Sequence, residues 1–330
     1  MAPRDLLLSI TTAAAVATNA IGSSPTSTSE SSSLPPITVT APRPPTPQQL
    51  AGEAVPHFVE SHAVPSIVIH QLMRWRIGIC PVTLGLSPAM NSFVSARIDA
   101  IADEVGAPHQ TQAQCKPNLV IIFANEPQRQ LEEVVKALGP SVLGFHYSQQ
   151  TKRLMTFDRP VQGWYVTSTR NFKGVEAIDD ALPMPALDPT NIFSHSPVPG
   201  GEPGSRLTNL RVSLIVQALA LVDANKVEAL SIESIADYLA MLVLSRSTSP
   251  DTCSQLPSII DLLAPNCGES EKPGRVTAGD LAFLRALYSI NLEAPLDLEQ
   301  STIEADMMRQ FKSLMPDRGL RRSREGEASQ

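Results

Sequence analysis

Leu119-Val120-Ile121-Ile122-Phe123 is an unbroken apolar run of five residues. It is too short for a core helix, and three of its side chains are β-branched. With no polar position to turn toward water, it predicts a strand buried on both faces, inside a sheet covered by helices. The flanks agree. Upstream, Ser87 and Pro88 supply an N-cap and a proline at the first helical position. Phe93, Val94, Arg97, Ile98, Ile101, Ala102 and Val105 then recur at helical spacing until Gly106. Downstream, Pro127–Leu138 repeats the pattern with Leu131, Val134, Val135 and Leu138, and Gly139-Pro140 ends it. A strand between two amphipathic helices predicts an α+β or mixed α/β domain, a twisted sheet with packed helices.

Other segments extend this sheet. Ser66–Cys80 reads as one or two strands, and Val142–Tyr147 and Arg153–Phe157 as short ones. Gly163–Thr169 alternates Trp164 and Val166 against Tyr165 and Thr167. Leu210–Val222 is the longest apolar run in the folded part and reads as a central strand or a helix, because periodicity does not separate the two. The last third is predicted to be mostly helical. Ser231 precedes a helix at 232–245 with Ile232, Ile235, Leu239, Leu242 and Val243 on its buried stripe. A short helix follows at 257–264. Thr277 and Asp280 form a capping-box pattern before Leu281, Leu284, Leu287 and Tyr288, and a final helix at 301–315 carries Ile303, Met307, Phe311 and Leu314.

The chain has 330 residues, of which 42% are hydrophobic and 18% charged, enough for a core. Its net charge of −7 argues against nucleic acid as a partner. The basic residues Arg318, Arg321, Arg322 and Arg324 sit beside Glu325 and Glu327 and read as a solvated tail. Leu6–Ala20 is an alanine-rich apolar run with small residues at two cleavage points, which predicts a signal peptide over 1–20. An uncleaved anchor and a cytoplasmic tail are the alternatives. Residues 21–60 begin with a Ser/Thr/Pro-rich stretch and predict a disordered tether. A single domain is expected over 61–316 and a charged tail over 317–330, with no transmembrane span in the mature chain. Ile37-Thr-Val-Thr-Ala41-Pro-Arg43 resembles the coupling motif of energised outer-membrane receptors, but no barrel follows and no transport role is carried over.

The four cysteines form two local pairs, Cys80 with Cys115 and Cys253 with Cys267. Neither pair has metal-ligand spacing, so two disulfides in a periplasmic or secreted protein are expected, with free buried thiols as the alternative.

The usual catalytic motifs are missing. There is no phosphate-binding glycine loop, no nucleophile elbow, and no two histidines at i, i+4. His57 and His62 are expected to be exposed. His146 is the one candidate general base, with Asp158 or Asp179 as its partner.

The order of elements resembles the zincin peptidases, through related bacterial domains of unknown function. In that family the helix after the last strand carries two zinc-binding histidines one turn apart and a glutamate that activates water. The matching stretch is Ser234–Leu244. It places Ala236 and Ala240 at the histidine positions and Asp237 at the glutamate position. Leu256–Ile260 and Val276–Tyr288 match the segments that follow. An unrelated α/β domain is the alternative. The resemblance implies a pseudoenzyme with no metal and no cofactor, since alanine has no lone pair to offer. The predicted function is an exported non-catalytic domain that binds or scaffolds an envelope protein or ligand. An envelope hydrolase whose site converges only in space is the alternative, and a glycan module using Trp75 and Trp164 is a third reading.

Overall fold

The computed structural model describes residues 49–110, 115–144, 150–179, 208–248 and 250–314. The predicted signal peptide, most of the tether, the 183–205 loop, His146 and the charged tail lie outside them. All described residues belong to one unit, Pro45–Gln330.

The chain is folded before the predicted boundary at 61. A helical turn at Leu50–Ala54 leads into helix α1, Val55–His62. Val55, Phe58, Val59 and His62 are buried on one of its faces, which is why this segment is structured despite its polar surroundings.

Six strands build one mixed sheet: β1 (Met73–Trp75), β2 (Pro81–Leu84), β3 (Leu119–Ala124), β4 (Val161–Asn171), β5 (Glu176–Ile178) and β6 (Arg211–Asp223). Their order is β2-β3-β6-β4-β5, and β1 pairs with β6 as well. The long apolar run at 210–222 is therefore a strand, as the first of its two readings held. Its alternating side chains feed cores on both faces of the sheet, which a helix at that position could not do. The β2 and β3 strands are parallel and joined by helix α2, Pro88–Glu104.

The sheet turns on β6. Its one edge pairs with β4 along almost its whole length. Its other edge pairs with β1 at 213–215 and with β3 at 218–223. At the change of partner Val166 faces Gln217 and Thr167 faces Ile215, so Val216 is an extra residue, a β-bulge. The bulge resets the alternation. Ile215, Ala218, Ala220 and Val222 all join the main core, although strict alternation would group Ile215 with Gln217.

The main core also takes side chains from α2, from α4 (Ile232–Ser245), from α5 (Ala278–Ser289) and from α6 (Leu296–Leu314). A smaller cluster packs Leu131 of helix α3, Pro127–Leu138, with Leu143, Trp164, Leu219 and Leu221.

The predicted strand Arg153–Phe157 is not a strand, and neither is the described start of Val142–Tyr147, whose residues 145–147 lie outside the described residues. Pro140–Leu143 is a 3-10 turn opened by Pro140, and Thr151–Leu154 is one helical turn. Both are too short and irregular to alternate. The last helix begins at Leu296, five residues before its predicted start at 301. The Thr277–Asp280 capping box is present, with both reciprocal hydrogen bonds made. The disulfides Cys80–Cys115 and Cys253–Cys267 are also present, consistent with an oxidising extracytoplasmic location. No described helix is long and apolar enough to cross a membrane.

Candidate functional site

Helix α4 lies at the centre of the helical layer. Ser231 caps it, its Oγ accepting from the Ser234 N–H at 3.1 Å. Twelve of its fourteen residues are buried, so it meets neighbours on nearly every side. Ala236 and Ala240 are fully buried among them. Their methyl groups allow close packing and offer nothing to a metal ion.

Asp237 is also fully buried, and its partners occupy both carboxylate oxygens. Arg97 of α2 donates from Nε to Oδ1 at 2.5 Å and from Nη2 to Oδ2 at 3.1 Å. Arg275 Nε and the Val276 N–H donate to Oδ2 at 3.2 and 2.9 Å. Burial pushes this carboxyl up, but the Arg97 and Val276 hydrogen bonds and the charges of both arginines outweigh it. They hold Asp237 below the usual carboxylate range. The residue at the glutamate position of the zincin pattern thus clamps α2 and the 275–276 segment onto α4.

The C-terminal end of α4 is different. Four successive carbonyls in its last turns accept from side chains. Ser245 Oγ donates to Met241 O at 2.7 Å, Tyr165 Oη to Leu242 O at 2.8 Å, Trp75 Nε1 to Val243 O at 2.8 Å, and Tyr288 Oη to Leu244 O at 2.9 Å. Arg246 closes the helix with φ of 59°, the left-handed region where glycine or asparagine is usual. Its N–H also donates to Leu242 O, at 2.8 Å.

Beside this end lies a cavity of about 340 Å³. Its walls come from the first half of β4, from the 150–159 turn and from the segment after α4, with Tyr165, Tyr238 and Leu242 facing in. Gly144 closes one side. Its φ is 66°, and a Cβ there would lie 1.8 Å from the Tyr165 carbonyl oxygen, so only glycine fits. Three arginines line the cavity, Arg153, Arg159 and Arg246, with Asp158 as the single carboxylate among the described lining residues. Arg246 is half-buried, lies 5.9 Å from the Tyr165 ring centroid and contacts Pro65 O at 3.4 Å. Loss of hydration pulls its guanidinium downward from the usual arginine value.

The remaining candidates are accounted for elsewhere. Asp179 is buried and accepts from Thr167 and Thr169 Oγ1, both at 2.7 Å, and His146 lies outside the described residues. Trp75 and Trp164 are 1% and 2% exposed, so neither offers a face to a sugar. Burying the rings against the core is the larger gain. His57 is exposed as expected, but His62 is buried and stacked on Phe58 with ring centroids 4.0 Å apart. The one cluster of metal-ligand types among the described residues is Cys253, Cys267 and Glu271, and both its sulfurs are in a disulfide. The arginine-lined cavity was not foreseen, because its walls come from segments some 180 residues apart, Pro65 to Arg246. Comparison with protein-family models, with curated proteins and with solved structures finds no match for this chain.

Proposed function

We propose that this chain is an exported, non-catalytic domain that binds a small ligand in the cavity at the C-terminal end of α4. One observation carries the reading. The cavity is lined by arginine, aromatic and apolar side chains, and its described walls contain no histidine, cysteine or lysine and one carboxylate. That composition recognises a molecule but lacks the paired acid and base of a hydrolase.

A degenerate zincin scaffold is part of the proposal. What supports it is the placement of α4, which follows the last strand and packs against the core of the sheet with Asp237 at its centre. The alternative, an envelope hydrolase whose site converges only in space, would draw on Asp158 if it used this cavity.

The test uses the full chain. A fragment screen read by the Trp164 indole N–H resonance should yield binders, and Thr248→Trp at the exposed rim should block them. Binding that persists in Thr248→Trp would place the ligand elsewhere. Hydrolytic activity abolished by Asp158→Asn, or stoichiometric zinc in the purified protein, would overturn the non-catalytic reading.

A further inference from the structure

We infer that the cavity beside α4 binds a tetrahedral oxyanion, a phosphate or sulfate group carried by its ligand, between Arg246 and Arg153. The inference rests on the reading of this cavity as the ligand site and adds the chemistry of what fills it.

Arg246 makes no ion pair with any described carboxylate. Its described polar contacts are one backbone carbonyl at 3.4 Å and the Met73 sulfur at 3.8 Å, with the Tyr165 ring beside it. A guanidinium carries five donors, so most of its hydrogen-bonding capacity is unused. A second cation, Arg153, lines the same cavity and repels it. Arg153 is exposed at the rim and Arg246 half-buried, and two like charges at one cavity favour an anion between them.

Arg246 occupies a left-handed position at the end of α4. A non-glycine residue there is strained by on the order of 1 kcal/mol. Glycine would end the helix with less strain, so the position is held for a cationic side chain, which offsets the negative end of α4 and also faces the cavity.

Arg246 follows α4 and Arg153 lies on the turn before β4, so the two reach the cavity from separate walls. A tetrahedral oxyanion presents oxygens in several directions and can meet both, whereas a carboxylate presents two in one plane. Ser66 and Thr248 are among the residues that line the same space. Asp158, exposed at the rim, disfavours a second negative group at the mouth.

The test is calorimetric titration of the full chain with inorganic phosphate, against sodium acetate at matched ionic strength. Phosphate should bind with one-to-one stoichiometry and shift the Trp164 indole resonance. Arg153→Gln and Arg246→Gln should each weaken it at least tenfold, Arg246→Lys should restore part of the loss, and Arg285→Gln, on the far surface beside Glu104, should change nothing. Equal phosphate binding in Arg153→Gln, or acetate binding as tightly as phosphate, would overturn the inference. If phosphate fails to bind while neutral fragments still do, the cavity remains the ligand site and the anion assignment falls alone. If neither binds, both fall.

Discussion

Arg97 and Asp237 face each other through two hydrogen bonds, of 2.5 and 3.1 Å, and so tie α2 to α4. The pair is asymmetric: the Asp237 side chain is fully buried, while that of Arg97 is 25% exposed. Removing the acid leaves a cation that water can reach, whereas removing the base leaves a buried anion held only by Arg275 and Val276. Arg97→Ala should therefore destabilise more than Asp237→Asn, by about 3 kcal/mol against about 2 kcal/mol. Urea denaturation of both variants checks the order, and a reversed order would mean that burial of the carboxylate is not the dominant cost.

The aromatic donors at the end of α4 give a graded prediction. Tyr165→Phe and Tyr288→Phe each delete one hydroxyl. Leu242 O keeps the Arg246 N–H when Tyr165 is changed, while Leu244 O loses its described side-chain donor when Tyr288 is changed. Tyr288→Phe should cost about 2 kcal/mol and Tyr165→Phe under about 1 kcal/mol. Thermal unfolding of the two variants side by side decides it.

These contacts also mark how far the sequence could be read. The run at 119–123 placed the central sheet because five apolar residues without period have few other uses. The helices at 88–104 and 232–245 announced themselves through Ser87 and Ser231 caps and regular stripes. Both cysteine pairs followed from proximity. The Val216 bulge did not show, since an extra residue in a strand leaves no mark until its partners are known. The site was less legible than the fold. Ala236, Asp237 and Ala240 were singled out together, but Asp237 takes its role from Arg97, 140 residues away. Arg246 carried a faint local signal, an arginine directly after an apolar helix. Nothing local linked it to Tyr165 or Arg153.

The two disulfides should differ in weight. Cys80–Cys115 spans 35 residues and Cys253–Cys267 spans 14. Restricting the unfolded chain favours the longer loop, so removing the first pair as a double alanine variant should cost roughly 4 kcal/mol and the second roughly 3 kcal/mol. Guanidinium unfolding of both variants compares them. A larger loss at Cys253–Cys267 would point instead to its neighbouring network, in which Ser254 and Ser258 bind the buried Asp261 and Asp280.

Glu299 supplies a pH dependence whose sign can be worked out. It is fully buried, accepts from the Leu72 N–H at 2.9 Å through Oε2, and leaves Oε1 without a partner among the described residues. Burial pushes its carboxyl up to about 7 from an ordinary value of 4.5, although the Leu72 N–H and the Arg74 charge pull the other way. Between those two values the native protein holds a proton that the unfolded chain has released. The stabilisation is complete below the unfolded value and is lost as pH rises to about 7. Glu299→Gln mimics the protonated acid, so its stability relative to the parent should rise by on the order of 3 kcal/mol between pH 4.5 and 8. His62 works in the opposite sense. Burial holds it down at about 4, so its contribution is present above its ordinary 6.5 and fades as pH falls toward 4. The two slopes oppose each other in the parent, and His62 titrates in both proteins, so its slope cancels in the difference. Asp280, raised by burial to about 6, titrates in both proteins and cancels in the difference. Urea midpoints for parent and Glu299→Gln across this range provide the measurement. A difference that stays constant with pH would mean that Glu299 is ionised in the folded protein at every pH tested.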